Sequence, residues 1–139
     1  MTLEYFIALL ILACIGAYFV WRNNFKTRQA NAAATFRAAF DLTLSDLRNS
    51  ESNSVNATYD ILMASFPAHE SAVLEFSRFL GFNRKAFLEA WHKYAYHEDM
   101  KKHPFPFLEK YSGGDVVERK RLRNLAITNI NHLLSYANA

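Results

Sequence analysis

Between Trp91 and His103 the chain gathers His92, His97, Glu98, Asp99 and His103. These side chains offer enough imidazole nitrogen and carboxylate oxygen to ligate a metal ion. Their spacing does not suit a helix-borne pair. His92 and His97 are five residues apart, about 140° around an α-helix, whereas ligands on one face sit three or four apart. A loop would have to gather His97, Glu98 and His103, and a metal-dependent enzyme with Glu98 as base is the alternative that arrangement defines. Polar side chains at the solvated end of a helix are the expected reading. No catalytic residue, metal or cofactor is assigned. His69 and His132 stand apart from the group, and cap or surface roles are expected for both.

Two other stretches are suited to binding. Arg119, Lys120, Arg121 and Arg123 place four cations within five positions, a pattern that can hold anionic lipid headgroups or nucleic-acid phosphates. The competing reading is the solvated first half of a helix, and it is preferred. A net charge of +3 is too small to imply nucleic acid, which is not an expected partner. Gly113-Gly114 is followed by the acidic Asp115, so it is no phosphate loop. No serine sits on a nucleophile elbow. The other stretch, Lys101-Lys-His-Pro-Phe-Pro-Phe107, is aromatic, stiffened by proline and flanked by charge. Phe105 and Phe107 are therefore either anchors of an exposed docking loop or plugs of the core.

The stretch that must position all of this is the N-terminal run from Tyr5 to Trp21. It contains no charged, amide or hydroxyl-only side chain. As a helix it spans about 26 Å, close to the hydrocarbon thickness of a bilayer. Only a helix satisfies its backbone groups within one segment in lipid, and Tyr5, Tyr18 and Trp21 lie near the ends, where aromatic rings favour the headgroup layer. All sixteen Lys and Arg residues follow Trp21, starting with Arg22, Lys26 and Arg28. The positive-inside rule then puts the N-terminus outside and the remainder in the cytosol, which in a bacterium makes this an inner-membrane protein.

Signal cleavage is not expected, because no basic segment precedes the run and basic residues separate it from Ala30, Ala32 and Ala34. Ile11-Leu-Ala-Cys14 has the outline of a lipoprotein box, but the apolar run continues past Cys14. The single cysteine excludes a disulfide framework. Ala8, Ala13, Gly16 and Ala17 are small enough to allow a second span to approach, so a homodimer is an alternative state.

Beyond the span, residues 22–34 are basic and then alanine-rich, with nothing to stop the helix from continuing; a shorter helix restarting near Thr35 is the alternative. Phe36, Phe40, Leu44 and Leu47 share one face. Asn49 to Ser54 reads as a loop, and Ser54 as a cap for a helix carrying Val55, Tyr59, Leu62, Met63 and Phe66. Pro67 is expected to end that helix or begin the next, whose stripe is Ala72, Val73, Phe76, Phe79 and Leu80 before a stop at Gly81. Asn83 caps a helix with Phe87, Leu88, Trp91, Tyr94 and Ala95 inward. From Glu98 to Gly114 the prolines preclude regular helix, with a short turn at Leu108–Tyr111. Asp115 and Glu118 form a capping box that opens a last helix burying Val117, Leu122, Leu125, Ala126, Ile130, Leu133, Leu134 and Ala137.

Phe36-Arg-Ala-Ala-Phe40, Ala72-Val-Leu-Glu-Phe76 and Ala90-Trp-His-Lys-Tyr94 resemble a group of small bacterial proteins of uncharacterised function with FRxxF, AVxxF and AWxxY segments. The resemblance covers residues 36–137. It implies a bacterial origin and a small helical domain, and no activity.

The expected molecule is all-α. A single transmembrane anchor (1–21) leads through a helical juxtamembrane segment (22–34) to a cytosolic bundle of four or five amphipathic helices (35–139). Its expected role is that of a membrane-anchored adaptor or complex subunit. The partner or lipid surface would be Phe105 and Phe107 with Arg119, Lys120, Arg121 and Arg123.

Overall fold

A computed structural model describes residues 2–50, 55–99 and 102–138. All regular structure among them is helical: α1 (Leu3–Asn49), α2 (Ala57–Ser77), α3 (Arg84–Ala95) and α4 (Val116–Ser135), with single 3-10 turns at Gly81–Asn83 and Leu108–Tyr111. The chain divides into two compact units, 1–31 and 32–139, and α1 contributes to both.

In the first unit, α1 is long and apolar enough to cross a membrane, and none of its apolar stretch is buried by protein. Tyr18, Trp21 and Phe25 form a ladder down one side, with the Trp21 and Phe25 rings stacked 6.0 Å apart. Helix continues without interruption through the alanine-rich stretch, as its high helix propensity allows.

The second unit is built on the face of α1 that carries Phe36, Phe40, Leu44 and Leu47, all buried. Phe36 stacks on Phe76 of α2 at 4.9 Å and meets Phe87 of α3 edge-on at 5.5 Å. Phe40 lies against the His69 ring at 3.9 Å. Because the partner moves from Phe76 back to His69 as α1 advances from Phe36 to Phe40, α1 and α2 run antiparallel. Trp91 and Tyr94 of α3, Leu108 and Tyr111 of the 3-10 turn, and Ala126, Ile130 and Leu133 of α4 complete the core.

Several expectations are corrected. Pro67 neither ends nor starts a helix but lies inside α2. The two stretches read as separate helices are one, because Leu62, Phe66, His69, Val73 and Phe76 continue a single stripe at spacings of four and three. Burial of that stripe outweighs the roughly 3 kcal/mol a helix-interior proline costs, and Pro67 itself faces solvent. The bundle is therefore made by the second part of α1 with α2, α3 and α4.

Ser54 lies outside the described residues, and α2 instead begins behind Asn56, whose side chain makes no capping bond. Asn83 precedes α3 but does not cap it either. Val55, Met63, Val117 and Leu125 are exposed rather than buried. Val117, the second residue of α4, falls off the Leu122–Ala126–Ile130–Leu133 face.

The start of α4 follows the expected device in part. The Asp115 carboxylate accepts the Glu118 N–H at 2.8 Å, whereas the Glu118 carboxylate turns to Arg121. Gly114, at φ +79°, makes the turn into this cap, and a Cβ there would lie 2.5 Å from the Glu118 side chain. Replacing Asp115 by Ala is expected to cost about 1 kcal/mol, the usual worth of an N-cap. A drop in melting temperature, with no change in helix content at low temperature, is the readout.

Candidate functional site

The end of α3 and the described residues after it carry titratable and aromatic side chains around one cleft. Helix α3 stops at Ala95 because Tyr96 takes an extended backbone (φ −123°, ψ 168°). That extended residue pairs with Pro106 in an antiparallel bridge. The Phe107 N–H donates to the Ala95 carbonyl at 2.8 Å. The Pro-Phe-Pro-Phe segment is thus pinned at its far end to the last turn of α3.

Lys110 completes the fastening. Its ammonium donates to the backbone carbonyls of Lys93 and Tyr96, two acceptors at the α3 terminus that would otherwise need water. Burial pushes its pKa down to about 8, with Glu98 acting the other way and Lys93 adding slightly to the fall. Replacing Lys110 by Met removes both bonds while keeping the stem. It is expected to cost about 1–2 kcal/mol and to speed amide exchange at Phe107 ahead of the helices.

Beneath this lies a polar floor. The Tyr111 hydroxyl donates to the Tyr94 carbonyl at 2.7 Å and accepts from the Asn129 amide at 2.9 Å. Burial holds the Tyr111 hydroxyl up at about 12, partly offset by the Asn129 bond. Deeper still is His69, fully buried, which corrects the expected cap or surface role. Its Nε2 lies 3.2 Å from the Ala39 carbonyl and 2.9 Å from the Thr43 hydroxyl, and its Nδ1 lies 3.1 Å from the Tyr94 hydroxyl. A carbonyl can only accept, so the proton is on Nε2, and Nδ1 accepts from Tyr94. The ring is neutral: burial lowers its pKa to about 4 against the raising effect of the Ala39 bond.

Above the floor opens a cleft of about 880 Å³, lined by His92 and Lys93 of α3, by Tyr96 and His97, by Phe107, and by Leu125 of α4, among others. No family model, curated protein or solved structure matches the chain.

His97 and His103 come together, with ring centres 4.6 Å apart, while Glu98 is exposed on the cleft rim. No group of three or more His, Cys, Asp or Glu side chains placed for a metal occurs among the described residues. The His97 Nδ1 accepts the Asp99 N–H at 3.0 Å. The neutral ring then carries its proton on Nε2 and presents a donor there, not a lone pair. His132 is exposed beside Tyr136.

Phe105 is 76 % exposed and Phe107 37 %, so neither plugs the core. Lys101 lies outside the described residues. The four cations of α4 have different local surroundings. Arg121 is held by Glu118 in a two-pronged pair at 2.8 and 2.6 Å, which lowers the Glu118 pKa. Arg123 reaches back to the Ser50 carbonyl, Arg119 is half-buried and Lys120 is exposed.

Lys110, Tyr111 and Asn129 were not anticipated. Asn129 had a signal, since it sits three residues after Ala126 and four before Leu133, on the buried face. Lys110 had none, because a lysine inside a short turn looks like any solvated lysine.

Proposed function

We propose that this protein is a membrane-anchored helical interaction module. Residues 5–21 hold it in the bilayer, and the second unit docks a protein partner through the Phe105–Phe107 loop and the adjoining cleft. Arg22, Lys26 and Arg28 after the span support a cytosolic side for that unit. The observation that carries the reading is Phe105, an aromatic ring 76 % exposed in a loop fastened at Phe107 and Lys110. Exposed apolar rings on a preordered backbone lose little entropy on binding and serve as interface anchors. Phe107 and Leu125 supply apolar wall to the cleft, and the charged rim of Lys93, Glu98 and Asp99 gives orientation.

The test is crosslinked capture of the full-length protein from its native membranes, wild type beside Phe105→Ala. A truncation at so exposed a position leaves the fold intact. It is expected to reduce recovery of the partner at least tenfold, the effect of losing about 1.4 kcal/mol or more at a central anchor. Undiminished recovery of the same partner by Phe105→Ala would remove the loop from the interface.

A further inference from the structure

The turn between α2 and α3 carries an aromatic residue turned to solvent. Phe82 is fully exposed. It sits in the 3-10 turn Gly81–Asn83, where Gly81 at φ +52° reverses the chain. Phe79 and Leu80 before it pack against the core, so the turn is anchored while Phe82 projects. Arg84 and Lys85 follow, both exposed. They open α3 with positive charge, the sign its macrodipole disfavours, and the first turn has no acidic residue. Neither forms an ion pair among the described residues. An exposed ring beside two cations without ion-pair partners suits an anionic lipid surface, where the ring enters the acyl boundary and the cations meet headgroups.

Position within the second unit points the same way. The antiparallel pairing of Phe36 with Phe76 and of Phe40 with His69 puts the residues after Phe76 level with those before Phe36. The turn therefore lies at the end of the unit where Ala32 enters it. The last turn of α4 reaches that end too, where Arg37 donates to the Ala137 carbonyl at 2.7 Å. The opposite end is marked by the bonds from Gly113 to Val55 and from Arg123 to Ser50. That is where the α4 cations lie, so the cationic cluster most visible in the sequence sits away from this turn.

We infer that the Gly81–Lys85 turn is a second membrane contact, with Phe82 as an apolar wedge and Arg84 and Lys85 as receptors for anionic headgroups. This rests on the reading of residues 5–21 as a span.

The test uses full-length protein reconstituted into phosphatidylglycerol/phosphatidylcholine vesicles, with one nitroxide label per sample. The label is placed on the native Cys14, or on Phe82→Cys or Val116→Cys in a Cys14→Ala background. Accessibility to oxygen and to a water-soluble nickel chelate reports depth. The expected result is lipid-like accessibility at 14 and at 82 and water-like accessibility at 116, with 82 becoming shallower in pure phosphatidylcholine. Water-like accessibility at 82 with a lipid-exposed 14 would overturn the wedge and leave the anchor standing. A label at 82 shielded from both reagents would mean a protein contact and also overturn it. Equal depth of 82 in the two lipids would overturn the role given to Arg84 and Lys85. A water-exposed 14 would remove the anchor, and the inference with it.

Discussion

Replacing His69 by Leu is expected to destabilise the helical unit by about 2–4 kcal/mol, although leucine is the more hydrophobic side chain. The substitution leaves the Tyr94 and Thr43 hydroxyls buried with their shared partner gone, and it removes the ring stacked on Phe40. Adding Tyr94→Phe should recover part of the loss, because one orphaned hydroxyl is then absent. The cycle of the two single variants and the double variant measures that coupling.

The same residue sets an acid limit. The fold holds His69 neutral, with its pKa lowered to about 4 from 6.5, so the unfolded chain binds the proton more readily between those values. Its contribution is complete above about pH 6.5. It falls as pH drops and is lost below about pH 4, a change of roughly 3 kcal/mol. Thermal melts of the detergent-solubilised protein between pH 7 and pH 4 should show the decline in the wild type and a shallower one in His69→Leu. Equal slopes in the two proteins would assign the acid sensitivity to other groups.

Phe36→Ala is expected to be at least as damaging, at about 3–5 kcal/mol. Phe36 is fully buried and joins rings of three helices. It packs on Phe40 at 5.0 Å, stacks on Phe76 at 4.9 Å, and meets Phe87 edge-on at 5.5 Å. No neighbour can fill the space it leaves without giving up its own ring contact. Phe36→Leu keeps most of the volume and should cost about 1–2 kcal/mol. Loss of near-ultraviolet circular dichroism in Phe36→Ala, with far-ultraviolet signal retained, would show that helices persist while the packing between them fails. A melting temperature unchanged from wild type would contradict the core described above.

These two residues differ in what the sequence discloses. Phe36 was legible, because an apolar residue four before Phe40 and eight before Leu44 can only mean a shared face. The inward stripe of α3, the break around Pro104 and Pro106, and the Asp115 cap were legible for similarly local reasons. His69 was not, because a histidine beside Pro67 and Glu70 looks solvated when taken alone. Yet it lies seven residues after Leu62 and seven before Phe76, on the stripe that also carries the helix through Pro67. Periodicity identifies which positions are buried. It does not say that a polar side chain there will find partners on two other helices.

The same limit applies to the site. The exposure of Phe105 depends on the Tyr96–Pro106 bridge and on Lys110, contacts between segments that no local pattern specifies. Four neighbouring cations in the sequence became three different local tasks once Glu118, Ser50 and the helix surface were in place.

The proposed function requires an anchored chain with its helical unit on the cytosolic face. Labelling of a Val116→Cys, Cys14→Ala variant with a membrane-impermeant maleimide tests this directly, because Val116 is exposed on the second unit. The account predicts no labelling in intact cells, labelling in inside-out membrane vesicles, and the protein in the membrane fraction after alkaline extraction. Labelling from outside intact cells would reverse the orientation, and recovery in the soluble fraction would contradict the anchor.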